Sequence, residues 1–231
     1  MKKLFFNLFI SFIWSASFAQ TKNSDNVFAF IDKSADTSSL KFIQTFRCIS
    51  KKGDDITSLY RAIKNQAQYK GSNCFIYKSF SKDSSGVMTL TLDTYYGDDA
   101  MVEANFNNYE SNTIYIISDG DFDNKLYSFN INGEKKVIKS GTYFKYVIQK
   151  GEKVTINKGG FFGSTAEIHW GENKPSQFFT LSGFGFSDIP LGYGSYPISG
   201  PGVGVSFTTG KIKSVDRAIG YVLKMILKNS E

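Results

Sequence analysis

The dipeptide Asn132-Gly133 sits between two alternating segments and constrains the fold more than any other feature of the chain. A two-residue hairpin of the favoured type needs positive φ at both central positions, which Asn-Gly tolerates. Before it, Leu126, Ser128 and Asn130 alternate with Tyr127, Phe129 and Ile131. After it, 136–138 supplies the return strand. Ser140-Gly141 marks a turn, 143–148 a strand, Gln149-Lys150-Gly151-Glu152 a second turn and 153–156 another strand. Short apolar runs at 166–170 and 177–181 follow a Gly-rich tip at 157–164, and 113–118 precedes the set. Short strands with turns at this spacing predict an antiparallel β-sandwich.

The preceding half has a different rhythm. A strand at 40–50 runs into Gly53-Asp54-Asp55, whose carboxylates cap a helix starting at Ile56. Ile56, Leu59, Tyr60, Ile63 and Ala67 fall at helical offsets on one face, and Lys70-Gly71 ends the helix. Strands at 73–80 and 87–96 flank a turn at 82–86. Residues 97–112 read as a connection, with 101–106 as a candidate strand extension. Ser214 precedes an amphipathic helix over 215–228. The predicted fold class is α+β: a small β-α-β-β layer at 40–98, then an antiparallel β-sandwich with a C-terminal helix at 113–231. Residues 20–39 read as a polar linker, within which 27–31 is apolar enough to pair as an edge strand.

Residues 1–19 have the layout of a signal peptide. Lys2 and Lys3 precede an apolar run at 4–14, and Ser17-Phe18-Ala19 offers a small-x-small cleavage site. The run is shorter than the roughly 20 residues that span a bilayer. The expectation is an exported protein: periplasmic, outer-surface-associated or secreted. Cleavage would lower the formal net charge of +6 by two, leaving a weak, dispersed positive charge that does not point to nucleic acid. An envelope protein or a surface polymer is the expected partner, and peripheral contact with a membrane is compatible with the basic residues. In an oxidising compartment the two cysteines, Cys48 and Cys74, predict a disulfide. Two buried free thiols on neighbouring strands are the competing reading.

The candidate sites flank the hairpin. Asp119, Asp121 and Asp123 alternate as at the start of a calcium loop, yet Asn124 stands where such a loop has Gly and Asn130 where it has Glu. A solvated turn competes with a metal site there. Phe184, Phe186, Tyr193 and Tyr196 alternate with glycines over 183–204. They read either as a ligand or partner surface or as a loop folded back over the sandwich. The single histidine, His169, lies in a predicted strand. No catalytic constellation and no cofactor motif is recognisable. The leading expectation is a non-catalytic interaction protein. The alternatives are a cell-wall or carbohydrate-active enzyme using an unidentified carboxylate pair, and a ligand-carrying module with a closed apolar cavity.

Two resemblances accompany these readings. The order strand, helix, Gly71-Ser72-Asn73-Cys74, strand resembles a module of bacterial envelope proteins whose helix ends near Gly-Ala-Asn-Ala, with Ser72 and Cys74 replacing alanines. It implies an α+β envelope module and brings no catalytic residues. Residues 113–228, through Ile131-Asn132-Gly133, Gly141-Thr142-Tyr143-Phe144 and Gly151-Glu152-Lys153-Val154-Thr155-Ile156, resemble secreted bacterial β-sandwich domains of unknown function. These are akin to small surface-carbohydrate-associated modules. Lys150 stands where that pattern has Pro.

Overall fold

The computed structural model describes residues 28–106, 108–118, 125–159, 163–181 and 212–230. The first layer contains β1 (Ala29–Phe30), β2 (Lys41–Ile49), α1 (Ile56–Tyr69), β3 (Cys74–Lys82), β4 (Met88–Tyr96) and α2 (Asp99–Phe106). Its sheet runs β1-β3-β4-β2, with β1 parallel to β3 and the other pairs antiparallel. Asp55 caps α1 by accepting from the Ser58 amide at 2.7 Å. At the other end Ser72 N donates to Ala67 O at 2.9 Å across Gly71, whose φ of +85° suits a residue without Cβ. On β4, Met88, Leu90, Leu92 and Thr94 alternate inward.

Three expectations change here. The stretch 28–31 does form the edge strand, but its residues belong to the core and not to a linker, being only 2% to 5% exposed. Residues 101–106 are helical: Asp98 accepts from the Met101 amide at 2.8 Å, and Val102 packs against Ala29, Ile31 and Cys74. The Cys48–Cys74 disulfide is not formed, and both are free thiols. Their strands lie on opposite sides of β4, with Cys48 opposite Leu90 and Cys74 opposite Tyr95. Five positions along a strand separate them by about 17 Å, far beyond bridging distance. They also face opposite sides of the sheet, Cys48 toward the α1 side and Cys74 toward α2.

The second half contains β5 (Thr113–Ile117), β6 (Leu126–Ile131), β7 (Glu134–Lys139), β8 (Thr142–Val147), β9 (Lys153–Lys158), β10 (Ser164–His169), β11 (Gln177–Thr180), β12 (Lys213–Val215), α3 (Arg217–Ile226) and β13 (Lys228–Asn229). The hairpin between β6 and β7 forms as read, with φ of +50° at Asn132 and +84° at Gly133. One sheet, β10-β9-β6-β7, is antiparallel throughout. The other, β12-β11-β5-β8-β13, is mixed, because β11 runs parallel to β5 and β13 parallel to β8. The turn at Ser140-Gly141 carries the chain from one sheet to the other, since β7 and β8 lie in different sheets.

Ile114, Ile116 and Phe179 on one face of the mixed sheet meet Phe129, Ile131, Val154, Ile156 and Ile168 of the antiparallel sheet. This is the sandwich core. The other face presents Tyr115, Ile117 and Phe178 to Ile219, Tyr221, Val222 and Leu223 of α3. The same cluster continues into Leu59 and Ile63 of α1 and into Phe30, Phe75 and Leu90 of the first sheet. The α+β chain therefore has two of its helices, α1 and α3, between a four-stranded sheet and the sandwich, with one apolar cluster shared by both halves.

Candidate functional site

One linked set of polar side chains gathers where α3 meets the sandwich. Glu110, just before β5, accepts at Oε1 from Lys145 Nζ of β8 at 2.9 Å. Its Oε2 accepts from the Tyr115 hydroxyl of β5 and from Lys224 Nζ of α3, the latter at 3.4 Å. Its backbone carbonyl accepts from Ser176 Oγ at 2.7 Å. Lys224 also lies 4.8 Å from the centre of the Tyr115 ring, close enough for a cation–π attraction. One carboxylate thus ties two strands and a helix together.

The electrostatics follow from that geometry. Burial alone would raise the Glu110 carboxyl, but hydrogen bonds from Tyr115 and Lys145 and the Lys224 charge bring it below its usual range. Tyr115 moves the opposite way: burial, and then the bond to Glu110, push its hydroxyl well above the phenol range. Beside it Tyr221 stacks on Phe30 at 5.0 Å and lies 4.7 Å from the Tyr109 ring. Burial raises Tyr221 to about 12 and Tyr109 well above its ordinary value. The Tyr109 hydroxyl donates to the Phe30 carbonyl. Arg217 places its guanidinium 5.5 Å from the Phe106 ring, and burial lowers its pKa, although an arginine stays charged. Ionised carboxylate and protonated phenols make this cluster a clasp.

A second polar arrangement covers the outer face of the antiparallel sheet. Lys135 pairs with Asn130 across β7 and β6, Asn130 with Asn157 across β6 and β9, and Asn157 with Thr165 across β9 and β10. Asn157 Nδ2 donates to Thr165 Oγ1 at 2.9 Å. Beyond this row Thr155 lies opposite Glu167 and Lys153 opposite His169, with Lys153 Nζ 2.9 Å from Glu167 Oε1. Neither Glu110 nor this row carries a local sequence motif. Only the outward register of Asn130, set by the alternation on β6, was readable in advance.

The expected site residues fall as follows. Asp119, Asp121 and Asp123, and likewise Phe184, Phe186, Tyr193 and Tyr196, lie outside the described residues, as does the signal segment. Residues flanking these stretches meet at one end of the sandwich: Lys158 Nζ donates to the Leu181 carbonyl, Ser140 N donates to Lys125 O at 2.7 Å, and Ser118 N donates to Thr142 O at 3.1 Å. Lys125 and Lys158 both lie about 5 Å from the Tyr127 ring, at 5.1 and 5.0 Å. His169 is exposed at the far end of β10, opposite Lys153, and so lies away from that end. Among the described residues no group of three or more His, Cys, Asp or Glu side chains is placed to hold a metal ion. No helix there is long and apolar enough to cross a membrane.

No protein-family model, curated protein or solved structure matches this chain. The resemblances to envelope modules and secreted sandwiches therefore rest on their motifs alone.

Proposed function

We propose that the chain is an exported, non-catalytic interaction protein of the cell envelope, presenting the sandwich to an envelope protein or a surface polymer. The observation that carries this reading is the state in which the fold holds two thiols, three phenols and one carboxylate among the described residues. Burial pushes the Cys74 thiol up to about 12 and raises Cys48 as well. A thiol held protonated is a poor nucleophile. Tyr109, Tyr115 and Tyr221 are held as neutral phenols in the same way. Glu110, the carboxylate among those tyrosines, is held ionised with three side chains donating to it, which suits anchoring better than proton donation at neutral pH. The layout of residues 1–19 supports an exported compartment.

A hydrolysis screen against cell-wall polymers, surface polysaccharides and peptides, run beside a pull-down from envelope extract, tests the reading. The expected outcome is capture without turnover. Turnover abolished by a single Asp or Glu substitution would overturn it and leave the carboxylate-pair enzyme in its place.

A further inference from the structure

The outer face of the β10-β9-β6-β7 sheet carries a row of polar groups in which Asn157 and Thr165 bond to each other, while Asn130 and Lys135 have no side-chain partner among the described residues. Lys135, Asn130, Asn157 and Thr165 are direct cross-strand partners, one from each strand. With strands about 4.8 Å apart, the row crosses the sheet in a nearly straight line of about 14 Å. The half-buried Asn130 carboxamide forms no hydrogen bond among the described residues. Lys135 and Lys139 are exposed and form no ion pair among the described residues, whereas Lys153 is matched by Glu167. The free charge on this face is therefore positive and lies along β7.

Side-chain bonds also tie the strands of this face together. Asn132, at the hairpin tip, accepts from the Thr155 amide at 2.9 Å and donates to Glu152 at 3.1 Å, which fixes β6 against β9. Asn157 and Thr165 hold each other in place. A preorganised surface loses little conformational entropy when a ligand settles on it.

We infer that this face binds an acidic polysaccharide. Amide and hydroxyl groups at strand spacing match the hydroxyls of successive sugar units in a linear chain. Lys135, at the β7 end of the row, is placed to meet its carboxylates, and Lys139, about 13 Å along β7, adds to the positive potential, where a neutral glycan would leave both unused. This inference deepens the non-catalytic reading above and rests on it. The competing account is a solvated face whose lysines only guard an edge strand from mispairing. That account needs the lysine charges but assigns no task to Asn130.

The test titrates the purified protein with polygalacturonate, alginate and hyaluronate, with dextran as a neutral control and polyacrylate as a polyanion without hydroxyls. At least one acidic polysaccharide is expected to bind more tightly than either control, with affinity falling as salt is raised. Asn130→Ala and Lys135→Ala should each weaken binding by about tenfold while leaving the unfolding midpoint unchanged. No binding to any of the three, binding no tighter than to polyacrylate, or unaltered affinity in both variants would overturn the inference. Shortening of the bound polymer would overturn the non-catalytic reading alone, and the face would still stand or fall by the two variants.

Discussion

Gly220 of α3 lies so close to Phe178 of β11 that a β-carbon on the glycine would stand 2.3 Å from the ring. A glycine inside a helix ordinarily costs about 1 kcal/mol relative to alanine. Here it lets the helix axis approach the mixed sheet, where Phe178 stacks on Tyr115 at 4.9 Å. Gly220→Ala should therefore destabilise the protein by about 1–3 kcal/mol through overpacking, despite alanine's better propensity. Chemical denaturation of the variant reads this directly. A gain of stability would mean that the helix does not pack this closely.

Glu110 predicts a pH dependence. Its folded pKa lies below the unfolded value of about 4.5, so its contribution is present in full above that value and is lost as pH falls through the folded pKa. The carboxylate is 42% exposed, which limits the contribution to about 1 kcal/mol after solvent screening. Glu110→Gln should be less stable than the parent by about that amount at pH 7, with the two converging in acid. Unfolding midpoints measured across pH 3 to 7, a window of about four units around the usual carboxyl range, check the sign.

The thiols give a prediction independent of stability. Both cysteines should react with a thiol reagent in denaturant without prior reduction, and adding a reductant should not change the melting temperature. In the native protein Cys48, partly exposed, should react first. Cys74, fully buried with its thiol raised to about 12, should resist until the protein opens.

At the hairpin tip, Asn132→Ala removes the bonds to the Thr155 amide and to Glu152 and places a Cβ-bearing residue without a polar side chain at φ +50°. The expected loss is about 1–2 kcal/mol. Asn132→Gly should recover the backbone part but not the hydrogen bonds. Comparing the two by denaturation separates strain from bonding.

These residues also show what was legible in the chain beforehand. The hairpin, the α1 cap and the β3–β4 pair were readable because each is encoded within a few residues by turn chemistry or alternation. The five-stranded sheet was not, because β5 pairs in parallel with β11 some 60 residues away in sequence, and no local pattern announces a parallel partner. Residues 28–31 looked like part of a polar linker because their flanks are polar, yet Phe30 stacks on Tyr221 from the other end of the chain. The disulfide followed from compartment and parity, and these say nothing about the register that parts Cys48 from Cys74. Glu110 gave no signal at all, since its partners Tyr115, Lys145 and Lys224 come from three separate elements.

The apolar cluster shared by the two halves decides whether they stand or fall together, because α1, α3, the first sheet and the mixed sheet all contribute to it. Native-state hydrogen exchange of Leu59 and Ile63 in α1, measured against Val154 and Ile156 in β9, tests it most directly. A continuous core predicts that the slowest amides of both sets exchange with the same opening free energy and the same denaturant dependence. Exchange of the α1 amides through a lower-energy opening that leaves β9 protected would contradict it.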